Sequence, residues 1–277
     1  MTVMHAVTTE HGIGRVDGDE IALLATPFPD LGAVVEATGS LAGLHDCAVT
    51  GRVPIHGTRL LAPLGRPRAM WGVGLNYRSK AAKAGRDLPT EPILYLAASS
   101  AMLSPDAEVA FPADATEQLD YEGEIAVVIG SRLHRAAPGE VWPAVAGITA
   151  ANDMTARDVM RRTATPTLAK SFPGCNPLGS SVCSVDELAD AEAIPVRTWV
   201  NGDLRQEDTS AGMIFAIPDL VSRISWYAAL EPGDVVLTGT PAGTGQDLDL
   251  FLAPGDRIRI EVGPVLPLVT TVGASTG

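Results

Sequence analysis

The run Asp120-Tyr121-Glu122-Gly123-Glu124-Ile125-Ala126-Val127-Val128-Ile129 decides how this chain folds. Its second half is continuously apolar, the pattern of a strand buried on both faces. Its first half is acidic. Side chains two apart in a strand share a face. Glu122 and Glu124 therefore project side by side at the mouth of an interior strand. Two like charges there repel unless a cation neutralises them, and a solvated strand end is the plainer alternative.

Asp153 favours the cation. It stands in Ala150-Ala151-Asn152-Asp153-Met154-Thr155, where a small-residue strand over 147–151 turns into a helix over about 155–161. Strand ends are where such folds expose functional groups. Three carboxylates with no neighbouring His or Cys make a hard-oxygen set, suited first to Mg²⁺, then to Mn²⁺ or Ca²⁺. Zinc is disfavoured, because His5, His11, His45, His56 and His134 lie elsewhere without ligand spacing.

Outward from this centre, strands are predicted at 70–74 and 93–97, with a short helix over 77–84 between them. Asn201-Gly202 joins strands 196–200 and 203–206 as a hairpin, the strongest short-range turn signal. A helix covers 217–229. Strands 235–238 and 257–262 each follow a Pro-Gly-Asp turn. Residues 1–66 read as a small β-rich domain, with strands at 3–8, 14–16 and 20–24 and a helix over 31–37. Gly65-Arg66-Pro67-Arg68 links it to a catalytic domain over 67–277.

Composition narrows the function. The chain has 277 residues, 46% of them hydrophobic, enough to bury a large core. Its 28 glycines and 21 prolines favour short strands and turns over a helical bundle. A net charge of −13 without a basic stripe disfavours nucleic acid and anionic membranes as partners. No stretch approaches the ~20 apolar residues of a membrane helix, and no leader pattern opens the sequence. The three cysteines lack paired spacing, which suits a reducing compartment. The expected location is the cytoplasm.

Of 20 basic residues only Lys80, Lys83 and Lys170 are lysines. Lys170, between Leu168-Ala169 and a Pro-Gly loop, reads as part-buried and in need of a carboxylate or a function. The loop Gly239-Thr240-Pro241-Ala242-Gly243-Thr244-Gly245 lacks the ending of a phosphate loop and reads as backbone brought close to a ligand.

Seven ordered motifs then resemble the fumarylacetoacetate hydrolase superfamily. They are Gly-Leu-Asn-Tyr at 74–77, Asp-Tyr-Glu-Gly-Glu at 120–124, Asn-Asp-Met-Thr-Ala-Arg-Asp at 152–158, Ala-Lys-Ser-Phe at 169–172, Val-Asn-Gly at 200–202 with Arg205-Gln206, Met-Ile-Phe at 213–215, and Thr-Gly-Thr-Pro-Ala-Gly at 238–243. The resemblance implies an α+β fold with a mixed β-roll core, a homodimer, and Mg²⁺ or Mn²⁺ at Glu122, Glu124 and Asp153. It also implies a substrate site near Lys170, Asn76, Tyr77, Arg157, Gln206 and Thr240. Family substrates are 2-oxo acids, acylpyruvates and β-dicarbonyl compounds, undergoing C–C hydrolysis, decarboxylation or keto–enol isomerisation.

The chain departs from that pattern around the lid. Many relatives follow Asn-Tyr with a His and a Glu that activate water. Here Lys80 and Lys83 stand in those places, Ala97 stands where a lysine is frequent, and Met160 where Gln is frequent. The expected chemistry is therefore enolate stabilisation through metal and Lys170, for decarboxylation, tautomerisation or C–C bond cleavage or formation, with Lys80 or Lys83 as base or as anion anchor. The alternatives are an ordinary acylpyruvate hydrolase, a biosynthetic tailoring enzyme on a larger apolar substrate, and a non-catalytic binding protein.

Overall fold

The computed structural model describes residues 5–105, 107–110 and 112–274. Val3 and Met4 of the first expected strand lie outside the described residues.

Strand Gly123–Ile129 is buried along its whole length, as its apolar run demands. Alternation divides its side chains between two cores. Ile125, Val127 and Ile129 join one cluster with Val196, Ile258 and Ile260. Ala126 and Val128 join another with Met70, Ala97, Leu178 and Leu237. The strand is thus the wall shared by both cores.

It belongs to a ten-stranded mixed sheet. On one side it pairs antiparallel with Val145–Asn152. On the other it pairs antiparallel with Val235–Leu237, which runs parallel to Met70–Gly74; Ile93–Ala97 closes that edge. A five-stranded sheet contains Asp203–Thr209, Pro195–Val200, Arg257–Val262, Leu268–Val272 and Glu108–Val109. The α-helices are short, the longest being Ile217–Tyr227. The architecture is the mixed, sheet-dominated α+β fold expected from the sequence.

Several boundaries follow directly from local pattern. Glu20–Leu24, Met70–Gly74, Ile93–Ala97 and Arg257–Val262 are strands over the expected spans. Asn201 and Gly202 both have positive φ, 53° and 90°, the mark of a tight hairpin turn. Other features needed tertiary partners. Thr155–Ala156 is a short strand against Leu119–Asp120, and the helix begins only at Arg157. In the N-terminal region, His5–Thr9 pairs with Val182–Cys183, so the first four strands continue the large sheet.

Candidate metal and substrate site

The carboxylates meet because two strands end together. Gly123 pairs with Asn152, which sets Glu122 and Glu124 beside Asp153. The Asp153 N–H donates to the Glu122 main-chain oxygen at 2.9 Å. One oxygen from each of Glu122, Glu124 and Asp153 lies within 4.8 Å of the others, and all three residues are buried. Gly123 between the glutamates faces the other way, where a Cβ would collide with Thr198 Oγ1. Glycine is what lets the second sheet close against this strand end.

Cations answer only part of the charge. Lys170 Nζ donates to Glu122 Oε2 and Asp153 Oδ2, both at 2.6 Å, and to Thr155 Oγ1 at 2.7 Å. Arg157 donates through Nε to Asp120 Oδ2 at 2.7 Å and through Nη2 to Glu122 Oε1 at 2.5 Å. Among the described residues, Glu124 Oε2 accepts only the Gly239 N–H, at 2.8 Å. The four buried carboxylates Asp120, Glu122, Glu124 and Asp153 thus face two buried cations, and with all four ionised two negative charges would be left over. Uncompensated buried charge costs several kcal/mol.

Proton affinities record this imbalance. Burial raises the pKa of Glu122, but Arg157 and Lys170 outweigh it and hold it at about 2. Glu124 is pushed well above the carboxylate range by burial and by repulsion from Asp153 and Glu122. Asp153 is raised by burial, although Lys170 pulls against it. Burial works against the Lys170 charge, yet Asp153 and Glu122 raise its pKa, so the ammonium persists at neutral pH. Asp153 Oδ1 is buried with no hydrogen-bond partner among the described residues. The donor set, the deficit of two positive charges and the orphaned oxygen all fit one divalent cation.

A cavity of about 560 Å³ opens beside this cluster. Lys80, Lys83, Arg86, Arg157 and Lys170 line it against Glu122 and Asp247, so the wall is cationic in an acidic protein. Val73, Ile93, Met160 and Pro166 supply apolar wall.

The expected site residues divide into two groups. Lys170, Arg157, Thr240, Lys80 and Lys83 line the cavity. Lys80 is buried and ion-paired with Asp247 at 2.8 Å, and it also donates to Thr244 Oγ1 at 2.6 Å. Thr240 Oγ1 donates to the Gly123 main-chain oxygen at 2.9 Å. Asn76, Tyr77 and Gln206 do not line the cavity. The Asn76 amide is spent on the main chain of Phe215 and Thr238. Gln206 receives the Gly123 N–H and donates to Thr240 Oγ1 and the Pro241 oxygen. Tyr77 is fully buried, and its hydroxyl has no partner among the described residues. Asn76 and Gln206 act here as braces for the strands that carry the site.

Three further residues belong to the site. Asp120 holds Arg157 and accepts the N–H groups of Gly245 and Gln246 at 2.6 and 3.0 Å. Asp247 accepts the Gly243 and Thr244 N–H groups at 2.9 and 3.3 Å while pairing with Lys80. The Thr244-x-x-Asp247 spacing is a capping signal that could have marked it. The Tyr95 hydroxyl donates to Asp153 Oδ2, and no local pattern announces this.

Comparison with known proteins identifies the family. The family description "Fumarylacetoacetate (FAA) hydrolase C-terminal" matches residues 69–273. The chain is 35% identical over 220 residues to the oxaloacetate tautomerase YisK of Bacillus subtilis, covering 78% of this chain and 73% of the relative. It is 30% identical over 266 residues to the 4-hydroxyphenylacetate degradation bifunctional isomerase/decarboxylase of Salmonella dublin, covering 96% of this chain and 58% of that one. Among solved structures, the fumarylacetoacetate hydrolase of Exiguobacterium antarcticum superposes with a TM-score of 0.85 at 30% identity, over 99% of this chain and 100% of that one.

Proposed function

Since the chain belongs to the fumarylacetoacetate hydrolase family and is an enzyme of that superfamily, we propose that it stabilises the enolate of a 2-oxo acid or β-dicarbonyl substrate for tautomerisation or decarboxylation. The observation that carries this reading is the convergence of Glu122, Glu124 and Asp153 beside a cation-lined cavity. A divalent ion held by these three, Mg²⁺ first and Mn²⁺ or Ca²⁺ next, would supply Lewis acidity toward adjacent substrate oxygens.

The chain's own residues do the rest. All three Lys170 protons are engaged by Glu122, Asp153 and Thr155. Lys170 therefore acts by fixing two carboxylates and by placing a permanent positive charge at the cavity wall, where an oxyanion develops. Arg157 locks Glu122 in place from the other side. Lys83 and Arg86 are exposed at the cavity and make no ion pair among the described residues, so they are free to attract a substrate carboxylate. Lys80, held by Asp247, serves as a cationic anchor in this reading.

Hydrolysis asks for more, namely a base that activates water. No histidine lines the cavity among the described residues. Decarboxylation forms the enolate as CO2 leaves, and tautomerisation passes the acidic carbon-bound proton to solvent and back, so neither needs water activated as a nucleophile; two named relatives are a tautomerase and an isomerase/decarboxylase. A second reading, a tailoring enzyme on a larger substrate, draws support from the apolar wall of Val73, Ile93, Met160 and Pro166. We further propose a homodimer working in the cytoplasm; sedimentation at about twice the chain mass checks the dimer.

Deuterium exchange at the carbon between two carbonyls, followed by NMR, tests the function. Oxaloacetate and acylpyruvates with short and long apolar tails are the probes. Exchange that needs Mg²⁺ or Mn²⁺ and stops with chelator is expected, with faster exchange for long tails favouring the second reading. Brisk acylpyruvate cleavage, or exchange indifferent to chelator, would overturn the proposal.

A further inference from the structure

The two oxygens of Asp153 have unlike surroundings. Oδ2 accepts from Lys170 Nζ at 2.6 Å and from the Tyr95 hydroxyl. Oδ1 is buried and accepts nothing among the described residues. We infer that Tyr95 is a positioning residue for the metal site: its phenol secures Asp153 Oδ2 and so presents Oδ1 to the ion shared with Glu122 and Glu124. The inference rests on the reading of that triad as a divalent-cation site.

The structure makes deliberate room for this phenol. Tyr95 lies in the edge strand Ile93–Ala97, directly opposite Gly72 in Met70–Gly74. A Cβ at position 72 would fall inside the Tyr95 ring, so only glycine lets the ring lie across the neighbouring strand. The same face of that wall carries Met70 and Ala97, packed with Ala126 and Val128. The ring is thereby carried from the sheet edge inward to Asp153. The Lys170 ammonium sits 5.2 Å from the ring centroid. Lysine and phenol therefore brace each other while binding one oxygen.

The hydroxyl is the informative atom. A phenylalanine would fill the same space, and the buried hydroxyl needs a partner that a phenyl ring does not. The partner is a carboxylate, which makes the bond charge-assisted. With two donors on Oδ2, the carboxylate cannot swing about its last torsion, and Oδ1 points in a fixed direction. Hydrogen bonds that orient a metal ligand are typically worth about 10–100-fold in metal affinity. Tyr95 and Gly72 would then contribute to metal affinity without touching the ion.

The test is Mn²⁺ titration calorimetry on chelator-stripped Tyr95→Phe protein, run well below the melting temperatures of both proteins so that affinity is read. Kd should rise about tenfold, and raising Mn²⁺ to saturation should restore dicarbonyl exchange, as a positioning role predicts. Gly72→Ala keeps the hydroxyl but displaces the ring. It should weaken Mn²⁺ binding by a similar factor, and the double variant should be no weaker than either single one. An unchanged Kd in Tyr95→Phe, or full additivity of the two changes, overturns the inference and leaves the metal reading intact. Failure of the wild-type protein to take up Mn²⁺ overturns the metal reading itself.

Discussion

Two buried lysines face one cavity, and their surroundings set them apart. Lys170 bridges two carboxylates in a cluster where four buried carboxylates outnumber two cations. Lys80 meets a single carboxylate, Asp247, whose remaining oxygen is satisfied by two main-chain N–H groups. The first arrangement is incomplete without a further cation. The second is closed on itself and ties the short helix Arg78–Lys83 to the loop after Thr240. Residue type is the same in both; the local charge count decides whether a buried lysine leaves room for a further cation or is itself neutralised at the cavity wall.

The comparison breaks most sharply at the carboxylates. Glu122→Ala, Glu124→Ala and Asp153→Ala should each lower Mg²⁺ or Mn²⁺ affinity by more than about a hundredfold, since each removes a ligand from a three-carboxylate set. Titration calorimetry reads this directly, and undiminished affinity in all three variants would end the metal reading.

Exchanging the lysines for methionine sharpens the contrast. Lys170→Met should reduce enolate exchange by about 10²–10³-fold, the range for losing one preorganised stabiliser of an oxyanion. Lys80→Met should cost far less exchange but about 3 kcal/mol of stability, because it leaves the buried Asp247 carboxylate unpaired. Urea denaturation and the NMR exchange assay measure the two losses. Equal losses of exchange would erase the distinction.

The lid positions offer a gain-of-function test. Lys80→His combined with Lys83→Glu should raise acylpyruvate hydrolysis by at least about tenfold by restoring a group able to take a proton from water. Stopped hydrolysis with intact exchange would show that the base must come from elsewhere.

The smallest effect is a pH dependence. Glu124 is raised well above the usual carboxylate range in the metal-free protein. It must lose its proton to bind a cation, so metal affinity should climb with pH up to its raised pKa and binding should release protons. Carboxylates with ordinary pKa values, near 4, would give a flat profile above about pH 6. Glu122 has the opposite sign: held at about 2, it adds stability above its ordinary pKa that is lost as the pH falls toward 2. Calorimetry in buffers of different ionisation enthalpy counts the protons.

Much of this molecule can be read from short stretches. The strands Met70–Gly74, Ile93–Ala97 and Arg257–Val262 are apolar or alternating runs bounded by turn residues, and local sterics suffice to define them. The pairing of Glu122 with Glu124 on one strand face follows from the two-residue period alone. Ordered motifs along the chain carried the family, and with it the fold. Asp120, Asp247 and Tyr95 escaped because each acts through a distant partner: Arg157 is 37 positions away, Lys80 is 167, and Asp153 is 58. The roles of Asn76 and Gln206 as braces, and the late start of the helix at Arg157, likewise depend on which strands lie alongside. A sequence by itself determines periodicity, turn chemistry and the supply of charges. Which charges cancel, which oxygen is left without a partner and which ring reaches across a neighbouring strand were decided only when the sheets packed, because electrostatic and hydrogen-bond energies depend on distances between groups that the chain order does not constrain.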